Sequence, residues 1–359
     1  MRIISFVGTR PEIIKNLAFC RRALLFKDLE FLVVPTQQNF GAEMVDQFIR
    51  DLNIPVADQS NRVDRTTPGS IAKSLLDYII HCIERFRPDI VLSNTDTDTA
   101  FYAALGATKL KVPVAHFEGG IRCEERSNPE EINRRLADQL SRWIFPITAD
   151  DAQNLAEEGF SSQSIFMLGD ITLDVLQIVK QENRITINSG AYDLMTCHRQ
   201  ENAANPERLS RIIEVVEQAG FPTVFPVHPR TKESLLKYGL WQRLESSRTI
   251  KALSPQGYLE MLKLLCGCRK VISDSGGLRR EAYLCNKPVI SLVDFVWFKK
   301  MRQLGYEFAA GADADKLQWA IQNFNPPTDR PSLFGDGRAG EHILRTLSNE
   351  WASICHNKK

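Results

Sequence analysis

The chain has 359 residues, of which 43% are hydrophobic and 25% are charged, and its formal net charge at pH 7 is +1. This composition is typical of a globular protein long enough for two domains, and the near-neutral charge gives no electrostatic case for binding nucleic acid. No apolar run approaches the roughly 18 residues that cross a bilayer, and the N-terminal apolar run reaches Gly8 too early for a signal peptide. We therefore expect a cytoplasmic protein with neither membrane nor nucleic acid among its partners.

The eight cysteines and six histidines are dispersed along the chain. Cys266-Gly-Cys268 is the only close cysteine pair in the sequence, and it lacks the second Cys or His pair that a zinc site requires. In a chain without export signals, scattered cysteines are most simply buried residues with free thiols. The sequence therefore predicts no metal site.

Short β-branched segments alternate along the chain with longer amphipathic ones, which is the periodicity of βαβ units. The first series of predicted strands covers residues 2–7, 30–34, 89–93, 112–116, 143–147 and 164–168. A helical pattern over residues 171–182 and a polar connector over 181–190 follow, and a second series covers residues 192–196, 223–227, 249–253, 270–273 and 288–292. This order predicts an α/β fold of two Rossmann-like, doubly wound domains with parallel sheets and a linker near residues 170–190.

Ligands of such sheets bind beyond the carboxyl ends of the strands, so the segments that follow the strands are the first place to look for function. After the first strand, Gly8-Thr-Arg-Pro-Glu12 offers a tight turn and a helix start whose N–H groups can face an anion, and Arg10 would point into the same space. A solvated turn with a good helix start explains this segment equally well. After the second strand, residues 35–39 form a polar patch that could bind a sugar or a base.

Carboxylates follow the third and fourth strands. Asp96 and Asp98 come after the third strand, where Asp98 is a good helix N-cap and Asp96 could act as an acid or a base. Residues 116–135 follow the fourth strand and hold five carboxylates, four arginines and a glycine pair. We expect Asp96, Glu118 and Glu130 at one edge of the sheet, where crowded carboxylates differ in their affinity for a proton and can divide the roles of acid and base. The structural alternative for Glu130 is stabilisation of a helix start, because its charge complements the helix dipole.

The second series of strands places a different chemistry at the corresponding edge. His198 and Arg199 follow its first strand, and His228 follows its second. Asp274-Ser-Gly-Gly-Leu278 opens a helix, where the backbone N–H groups and hydroxyl of Ser275, Gly276 and Gly277 can cradle a diphosphate. Glu281 lies one turn further on, toward the expected position of a ribose. Together with Arg10, these residues predict a nucleotide diphosphate site.

These residues resemble the UDP-N-acetylglucosamine 2-epimerase family over nearly the whole chain. The motifs that carry the resemblance are Gly8-Thr-Arg-Pro-Glu12 with Lys15, Asp96-Thr97, His116-Phe-Glu-Gly-Gly-Ile-Arg122, Pro129-Glu-Glu-Ile-Asn-Arg134, His198-Arg199, Pro226-Val-His228, Asp274-Ser-Gly-Gly277 with Glu281, and Phe334-Gly-Asp-Gly337. The resemblance implies a fold similar to glycosyltransferase B, with two domains facing across a cleft. It implies an N-terminal domain of residues 1–170 with the acid/base carboxylates, a UDP-binding domain of residues 171–335, and a C-terminal helix within residues 336–359 that crosses back to the first.

By this resemblance, the chain would invert C2 of a UDP-2-acetamido sugar by eliminating UDP to a 2-acetamidoglucal and adding it back. The catalytic residues implied are Asp96, Glu118, Glu130 and His198. The substrate-binding residues implied are Arg10, Lys15, Arg122, Arg134, Arg199, His228, Ser275, Gly276, Gly277 and Glu281, and Arg122 and Arg134 would be charge partners of the carboxylates. The resemblance also implies no metal or redox cofactor, a homodimer, and a place in the biosynthesis of cell-surface polysaccharides.

The sequence departs from the family pattern in the region that selects the sugar. Residues 294–300 are largely apolar where the family usually carries a Thr-Thr-Glu-Arg-Pro-Glu-like loop, and Trp297 or Phe298 could cover a less polar sugar, such as a 6-deoxy one. Residues 36–39 differ from the family's polar patch, Asn94-Thr95 replaces its His-Gly pair, and the loop from Glu118 to Glu130 is shorter. Three alternatives therefore stay open: a hydrolysing 2-epimerase, an inverting glycosyltransferase with the same two-domain architecture, and a binding protein that has lost catalysis.

Overall fold

The computed structural model describes residues 1–38, 48–123, 126–183, 185–187, 190–294 and 299–356. The chain divides into two compact units. Unit 1 comprises Met1–Ile178 together with Ser332–Lys359, and unit 2 comprises Val179–Pro331. The C-terminal segment of the chain therefore belongs to the first unit.

Unit 1 is built on a parallel sheet of five strands in the order β2-β1-β3-β4-β5. The strands are β1 (Arg2–Val7), β2 (Glu30–Pro35), β3 (Ile90–Asn94), β4 (Val114–Phe117) and β5 (Trp143–Phe145). The helices are α1 (Arg10–Ala23), α2 (Pro68–Phe86), α3 (Asp98–Lys109), α4 (Pro129–Leu140), α5 (Ala149–Glu157) and α6 (Ile171–Glu182), and residues 48–51 are also helical. Because the order reverses between β1 and β3, the turns after these two strands lie side by side at the carboxyl edge.

Unit 2 holds a parallel sheet of six strands in the order β11-β10-β9-β6-β7-β8. The strands are β6 (Asp193–Thr196), β7 (Thr223–Pro226), β8 (Ile250–Leu253), β9 (Val271–Ser273), β10 (Val289–Ser291) and β11 (Glu307–Ala309). The helices are α7 (Gln200–Ala203), α8 (Pro206–Gln218), α9 (Pro229–Lys237), α10 (Trp241–Glu245), α11 (Tyr258–Gly267), α12 (Gly276–Leu284), α13 (Lys299–Gln303) and α14 (Ala314–Asn323). This is the strand order of a Rossmann fold, and its reversal falls between β6 and β9.

Helix α15 (Ala339–His356) completes unit 1. The buried carboxylate of Asp174 accepts the N–H groups of Ala339 and Gly340, each at 3.0 Å, and so caps the start of this helix. Further along, the indole N–H of Trp143 donates to Glu350 at 3.2 Å. Ile343, Leu344 and Leu347 are buried, because their spacing places them on one face of the helix.

The prediction of two α/β domains with parallel sheets is confirmed, with differences at two segments. Residues 164–168 were expected as a strand, but Ser162–Ser164 is a 3₁₀ turn and Ile165 forms only an isolated bridge with Ile144. Strand β11 was not predicted, because it has three residues and begins with the buried, ion-paired Glu307, which hides its apolar pattern. Within the described ranges, every helix is too short or too polar to cross a membrane.

Candidate active site

The turns after β1 and β3 are joined through Glu12, in the first turn of α1. Its carboxylate is fully buried and accepts the N–H groups of Gly8 and Thr9 at 2.7 and 2.9 Å and the hydroxyl of Thr97 at 2.6 Å. Burial raises the pKa of Glu12 to about 7, although these donors oppose the shift. Glu12 therefore ties the start of α1 to the segment that carries Asp96.

Gly8 lies at a close approach between three segments. A Cβ atom at Gly8 would lie 2.1 Å from Thr99 Oγ1 and 2.7 Å from Gln38 Oε1, so no side chain fits there. Gln38 Oε1 accepts from the backbone N–H and the hydroxyl of Thr99 at 2.8 and 2.7 Å. In the polar patch after β2, Gln38 thus takes part in the protein's own hydrogen bonds. Asn39, the last residue of the patch, lies outside the described residues.

Glu118 follows β4 directly and forms a buried ion pair with Lys15 of α1. The distance from Lys15 Nζ to Glu118 Oε2 is 2.7 Å, and the side chains are 11% and 8% exposed. Glu118 has a φ of +64°, a left-handed conformation that non-glycine residues adopt rarely. A carboxylate held in an unusual backbone conformation, with its charge balanced by an ammonium group, is a sound candidate for a catalytic base.

Asp96 follows β3 and pairs with a different cation, Arg134 of α4. The Asp96 side chain is 30% exposed, so its carboxylate reaches solvent while that of Glu118 scarcely does. Asn133 donates to the backbone carbonyl of Asp96 at 3.2 Å and to the carboxylate of Asp98 at 3.0 Å. The expected N-cap role of Asp98 is wrong, because the oxygen of Thr97 caps α3 by accepting the N–H of Ala100 at 3.2 Å.

The segments around Asp96 and Glu118 are neighbours in the sheet. The register pairs Asn94 of β3 with Phe117 of β4. Asp96 lies two positions after Asn94, and Glu118 lies directly after Phe117. Fully buried His116 bridges the segments, with Nε2 2.7 Å from the carbonyl of Thr95 and Nδ1 2.6 Å from Asp138 Oδ1. The structure therefore brings two of the three predicted carboxylates to adjacent turns.

Glu130 and Arg122 are placed less closely to these turns. Glu130 is exposed in the first turn of α4, where its N–H donates to the capping Asn128 at 2.9 Å. Arg122 donates to Asp138 at 2.8 Å and to Glu158 at 2.8 and 2.7 Å. Glu118 thus pairs with Lys15 and not with Arg122, whereas Arg134 does pair with Asp96, as expected. The catalytic roles of these carboxylates stay predictions.

Arg10 is exposed in the first turn of α1, with its guanidinium carbon 5.5 Å from the centre of the Phe48 ring. Arg10 is the first residue of α1 and comes directly after the turn that follows β1, so its backbone lies at the carboxyl edge of the unit 1 sheet. Its role in binding an anion stays a prediction. Glu124 and Glu125, expected in a solvated loop, lie outside the described residues, and Arg126 next to them is exposed.

In unit 2, Asp274 organises the segment after β6. Its fully buried carboxylate accepts the backbone N–H groups of His198 at 2.9 Å and Arg199 at 2.9 Å and the side-chain amide of Asn202 at 3.1 Å. Asp274 itself follows β9, so one carboxylate joins the two turns on either side of the strand-order reversal. The predicted residues His198 and Arg199 are therefore fixed at the ligand-binding edge of a Rossmann sheet.

The rings of His198 and His228 lie together, with their centroids 5.4 Å apart. His198 Nδ1 is 3.5 Å from Asp274, and its side chain is 35% exposed. His228 caps α9, with its Nδ1 accepting the N–H of Arg230 at 3.2 Å. In this bond the Nδ1 atom of His228 acts as an acceptor, so that atom carries no proton.

Helix α12 begins at the predicted diphosphate cradle. The hydroxyl of Ser275 accepts the N–H of Leu278 at 3.3 Å and caps the helix. A Cβ atom at Gly277 would meet nothing within 4 Å, so neither the backbone nor the packing of the described chain requires glycine there. One turn on, Glu281 accepts the hydroxyl of Tyr258 at 3.2 Å. An open helix start with a glycine that the fold does not need is suited to close approach by an anionic ligand.

The divergent loop can be followed only at its two ends. Asp294 forms an ion pair with Arg208 at 3.0 Å, and α13 begins at Lys299. Trp297 and Phe298, the predicted cover for a less polar sugar, lie outside the described residues. Among the residues that are described, no group of three or more His, Cys, Asp or Glu side chains is arranged to hold a metal ion.

Two buried carboxylates at this edge were not assigned a role from sequence. Glu12 belongs to a predicted motif without a role of its own, and Asp138 belongs to none. Helix α4 did carry a signal, because Glu131, Arg134 and Asp138 recur every three or four residues on a face that is buried. Charged residues at such spacing beside an expected active site indicate a network that positions the catalytic groups.

Comparisons with known proteins agree with this geometry. The family model described as UDP-N-acetylglucosamine 2-epimerase matches residues 24–348. The chain is 36% identical to a UDP-N-acetylglucosamine 2-epimerase of Methanocaldococcus jannaschii, over 97% of this chain and 99% of the relative. It is 32% identical to a UDP-2,3-diacetamido-2,3-dideoxy-D-glucuronate 2-epimerase of Pseudomonas aeruginosa, again over 97% of this chain and 99% of the relative.

Solved structures match over the same extent. The crystal structure of the M. jannaschii UDP-GlcNAc 2-epimerase in complex with UDP-GlcNAc and UDP superposes with a TM-score of 0.84 at 33% identity, covering 97% of this chain and 100% of that one. The enzyme from Neisseria meningitidis bound to UDP-GlcNAc also has a TM-score of 0.84, at 27% identity, covering 97% of this chain and 100% of that one.

Proposed function

The chain belongs to the UDP-N-acetylglucosamine 2-epimerase family, a family of isomerases, and on this premise we propose that it inverts C2 of a UDP-2-acetamido sugar. The predicted family, enzyme class and reaction class are confirmed by the family match. The substrate, the residue roles and the fate of UDP belong to the proposal. The observation that carries it is the placement of Asp96 and Glu118 on adjacent turns of one sheet edge, each held by its own cation.

In the proposed mechanism, a base removes the C2 proton while the C1–O bond to UDP breaks. The electrons of the C2–H bond form the C1–C2 double bond of a 2-acetamidoglucal, and UDP leaves with the electrons of the C1–O bond. An acid then delivers a proton to the opposite face of C2, and the UDP oxygen attacks C1 again. Two groups on opposite faces of the sugar are needed, and Asp96, Glu118 and Glu130 are the candidates from unit 1.

The departing diphosphate needs compensating charge, which we assign to the predicted C-terminal domain, residues 171–335. The N–H groups at Ser275, Gly276 and Gly277 and the side chains of His198, Arg199 and His228 are the proposed partners, with Glu281 on the ribose. From the first domain, Arg10, Lys15, Arg122 and Arg134 are the proposed substrate contacts. The guanidinium of Arg122 already forms ion pairs with Asp138 and Glu158. Arg122 would therefore contribute to substrate binding through its fixed position more than through additional N–H donors.

UDP-N-acetylglucosamine and related sugars, including deoxy sugars, are the proposed substrates. The relative from P. aeruginosa is described as acting on a UDP-diacetamido sugar, which supports a UDP-2-acetamido class with variation elsewhere on the ring. The change of residues 294–300 from the usual charged loop is consistent with such variation. The homodimer and the cytoplasmic location stay predictions, and light scattering with size-exclusion chromatography would test the first.

Product analysis tests the proposal and separates it from the hydrolysing alternative. The protein is incubated with UDP-N-acetylglucosamine and a panel of UDP-2-acetamido sugars, and the mixture is followed by proton and phosphorus NMR. We expect a second UDP-sugar with inverted C2 and an unchanged total of UDP-linked sugar. Accumulation of UDP with free 2-epimer would instead assign a hydrolysing enzyme, and an unchanged mixture for every sugar would reject the epimerase.

A further inference from the structure

Asp138 and His116 form a fully buried pair behind the turns that carry Asp96 and Glu118. We propose that this pair is a charged clamp that positions both carboxylates for catalysis, so that Asp138 and His116 are positioning residues of the reaction. The proposal rests on the proposed function, because it assigns the clamp to the acid/base edge of the same site. Nothing in the family resemblance above assigns either residue a role.

The hydrogen bonds define the charge of the pair. His116 Nε2 lies 2.7 Å from the carbonyl oxygen of Thr95, which can only accept, so Nε2 carries a proton. His116 Nδ1 lies 2.6 Å from Asp138 Oδ1, and the other oxygen of Asp138 accepts from Gly120 N at 3.1 Å and Arg122 at 2.8 Å. Because Oδ2 of Asp138 already accepts from two donors, we assign the proton of the short Nδ1 to Oδ1 contact to His116, so that the pair is a carboxylate and an imidazolium.

The electrostatics of Asp138 agree with this assignment. Burial alone would raise the pKa of Asp138, but the neighbouring charges of His116 and Arg122 prevail and hold it below its ordinary value. A buried carboxylate is costly unless it is paired and hydrogen-bonded, and here both conditions are met. The clamp is therefore a strong local constraint, whose loss would leave a charge unpaired in the core.

One arm of the clamp holds the turn with Asp96. Thr95 has a φ of +62°, in the left-handed region. Its N–H donates to the carbonyl of Phe117 at 3.1 Å, and its own carbonyl accepts from His116 at 2.7 Å. Both backbone polar groups of Thr95 are thus hydrogen-bonded to β4, and a residue in a rare conformation needs such bonds to persist. Asp96 follows Thr95 directly, so the conformation of this turn sets the direction of the backbone at Asp96.

The other arm holds the turn with Glu118. Glu118 also has a left-handed φ, and the segment after it returns to the clamp through the bond from Gly120 N to Asp138 Oδ2. Gly119 permits this approach, because a Cβ atom there would lie 2.4 Å from Asp138 Oδ1 and 3.2 Å from His116 Nδ1. The clamp therefore accounts in part for Gly119, where a Cβ atom would also lie 2.3 Å from Ile144 Cγ2, whereas Gly120 has a φ of +80° and lies against the backbone of Asp151.

Both clamp residues are fully buried and lie beneath the turns, while Asp96 reaches solvent, so the clamp acts through the position of the carboxylates. Displacing a catalytic group by about 1 Å can lower a rate on the order of 100-fold. We therefore expect the clamp to affect kcat strongly. The assigned UDP contacts of unit 2 are not part of the clamp, so UDP affinity should be nearly independent of it.

The test compares His116→Gln, Asp138→Asn and the double variant in the full-length protein. His116→Gln should lower kcat for epimerisation about 100-fold per folded molecule, because its amide oxygen faces Asp138, while the Kd for UDP changes less than about threefold. Asp138→Asn can still donate to the Nδ1 atom of a neutral His116, so it should lower kcat less than His116→Gln does. In the double variant, a glutamine donates to Thr95 and accepts from an asparagine, so a neutral complementary pair replaces the charged one. The double variant should recover at least about tenfold in kcat over His116→Gln. Folded fractions from denaturant unfolding normalise the rates.

Asp193→Asn is the matched control, because Asp193 is also fully buried and ion-paired, with Arg269 at 2.6 Å, but lies at the amino end of β6 in unit 2. It should lower stability and leave kcat unchanged. The clamp is refuted if folded His116→Gln keeps kcat within threefold of wild type, or if its kcat and its UDP affinity fall by the same factor. Nitrogen-15 NMR of the six histidines adds a readout that needs no activity: His116 should show two ring N–H signals at neutral pH. A neutral His116 would reject the clamp, whereas an inactive wild type would reject only the proposed function.

Discussion

Asp96 and Glu118 end neighbouring strands, yet their surroundings differ. Arg134 pairs with Asp96, whose side chain is 30% exposed, and Lys15 pairs with Glu118, whose side chain is 8% exposed. The charge of Glu118 is compensated by Lys15 in a buried environment, whereas the charge of Asp96 is partly screened by solvent. Such unlike environments are what separates an acid from a base when two carboxylates serve one reaction.

Removing either carboxylate should stop the chemistry and spare UDP binding. We predict that Glu118→Gln and Asp96→Asn each lower the rate of C2 inversion by about 10³-fold or more, because general acid/base groups contribute factors of this order. The Kd for UDP, measured by calorimetry, should change less than about threefold. Asp89→Asn is the control, since Asp89 lies at the amino end of β3 and accepts the N–H of Arg2 at 2.7 Å. A Glu118→Gln protein with wild-type turnover would remove Glu118 from the mechanism.

Glu12 makes the stability of the fold depend on pH. Its pKa is raised to about 7 in the folded chain from an ordinary value of 4.5, so between these values the native state holds a proton that the unfolded chain has released. The free energy of unfolding should therefore fall as pH rises from 4.5 to 7, by at most about 1.4 kcal/mol per pH unit. Glu12→Gln removes this contribution, and denaturant titrations of both proteins across the interval should converge at its acidic end. Parallel curves would contradict the assignment.

At the scale of elements, the start of α12 is the feature most open to a ligand. Gly277→Ala should leave the fold intact, because a Cβ atom there meets nothing within 4 Å. It should weaken UDP binding about tenfold, roughly 1.4 kcal/mol, since the added methyl group would lie where the diphosphate approaches. Gly69→Ala, in the first turn of α2, is the matched control, because its Cβ atom would be no closer than 3.8 Å to Thr67 Oγ1. If Gly277→Ala and Gly69→Ala bind UDP equally well, the diphosphate does not bind at the start of α12.

The strands could be predicted well from sequence because buried parallel strands are short, continuous apolar runs bounded by turn residues. Residues 2–7 were placed with the observed bounds, and most other strands within two residues. This apolar pattern is lost where a charged residue lies in a buried strand, and such a strand is missed. Glu307 hid β11, since its charge is compensated by Arg279, a residue nearby in space but not in sequence.

The candidate site shows the same limit. Residues directly after strands, such as Asp96 and His198, could be predicted because topology alone places them at the edge. Asp138 could not, because its role depends on how helix α4 packs against β4 and on two turns that meet at its carboxylate. The ion-pair partners of Arg122, which are Asp138 and Glu158, could not be predicted for the same reason. Spacing identifies the face of a helix, but only packing shows which charges meet.

At the scale of the whole molecule, the last helix returns to the unit in which the chain begins. Asp174→Ala removes the two acceptors at the start of α15 and should destabilise unit 1 by about 1–2 kcal/mol. Hydrogen exchange should accelerate in residues 339–356 and stay unchanged in the strands of unit 2. Asp336→Ala is the control, because Asp336 is exposed and its described side-chain partners, the N–H of Arg338 and the ring of His342, are close in sequence. Faster exchange confined to unit 2 would contradict the division into units.

The central claim is that the chain exchanges the hydrogen at C2 of a UDP-2-acetamido sugar through an eliminated intermediate. The most direct test is to incubate the protein with UDP-N-acetylglucosamine and related sugars in deuterated water and to follow C2 by NMR. We expect deuterium at C2 in both epimers, with UDP-sugar retained and with no incorporation in Glu118→Gln or Asp96→Asn. Inversion without deuterium at C2, or retention of the C2 hydrogen in every sugar of the panel, would contradict it.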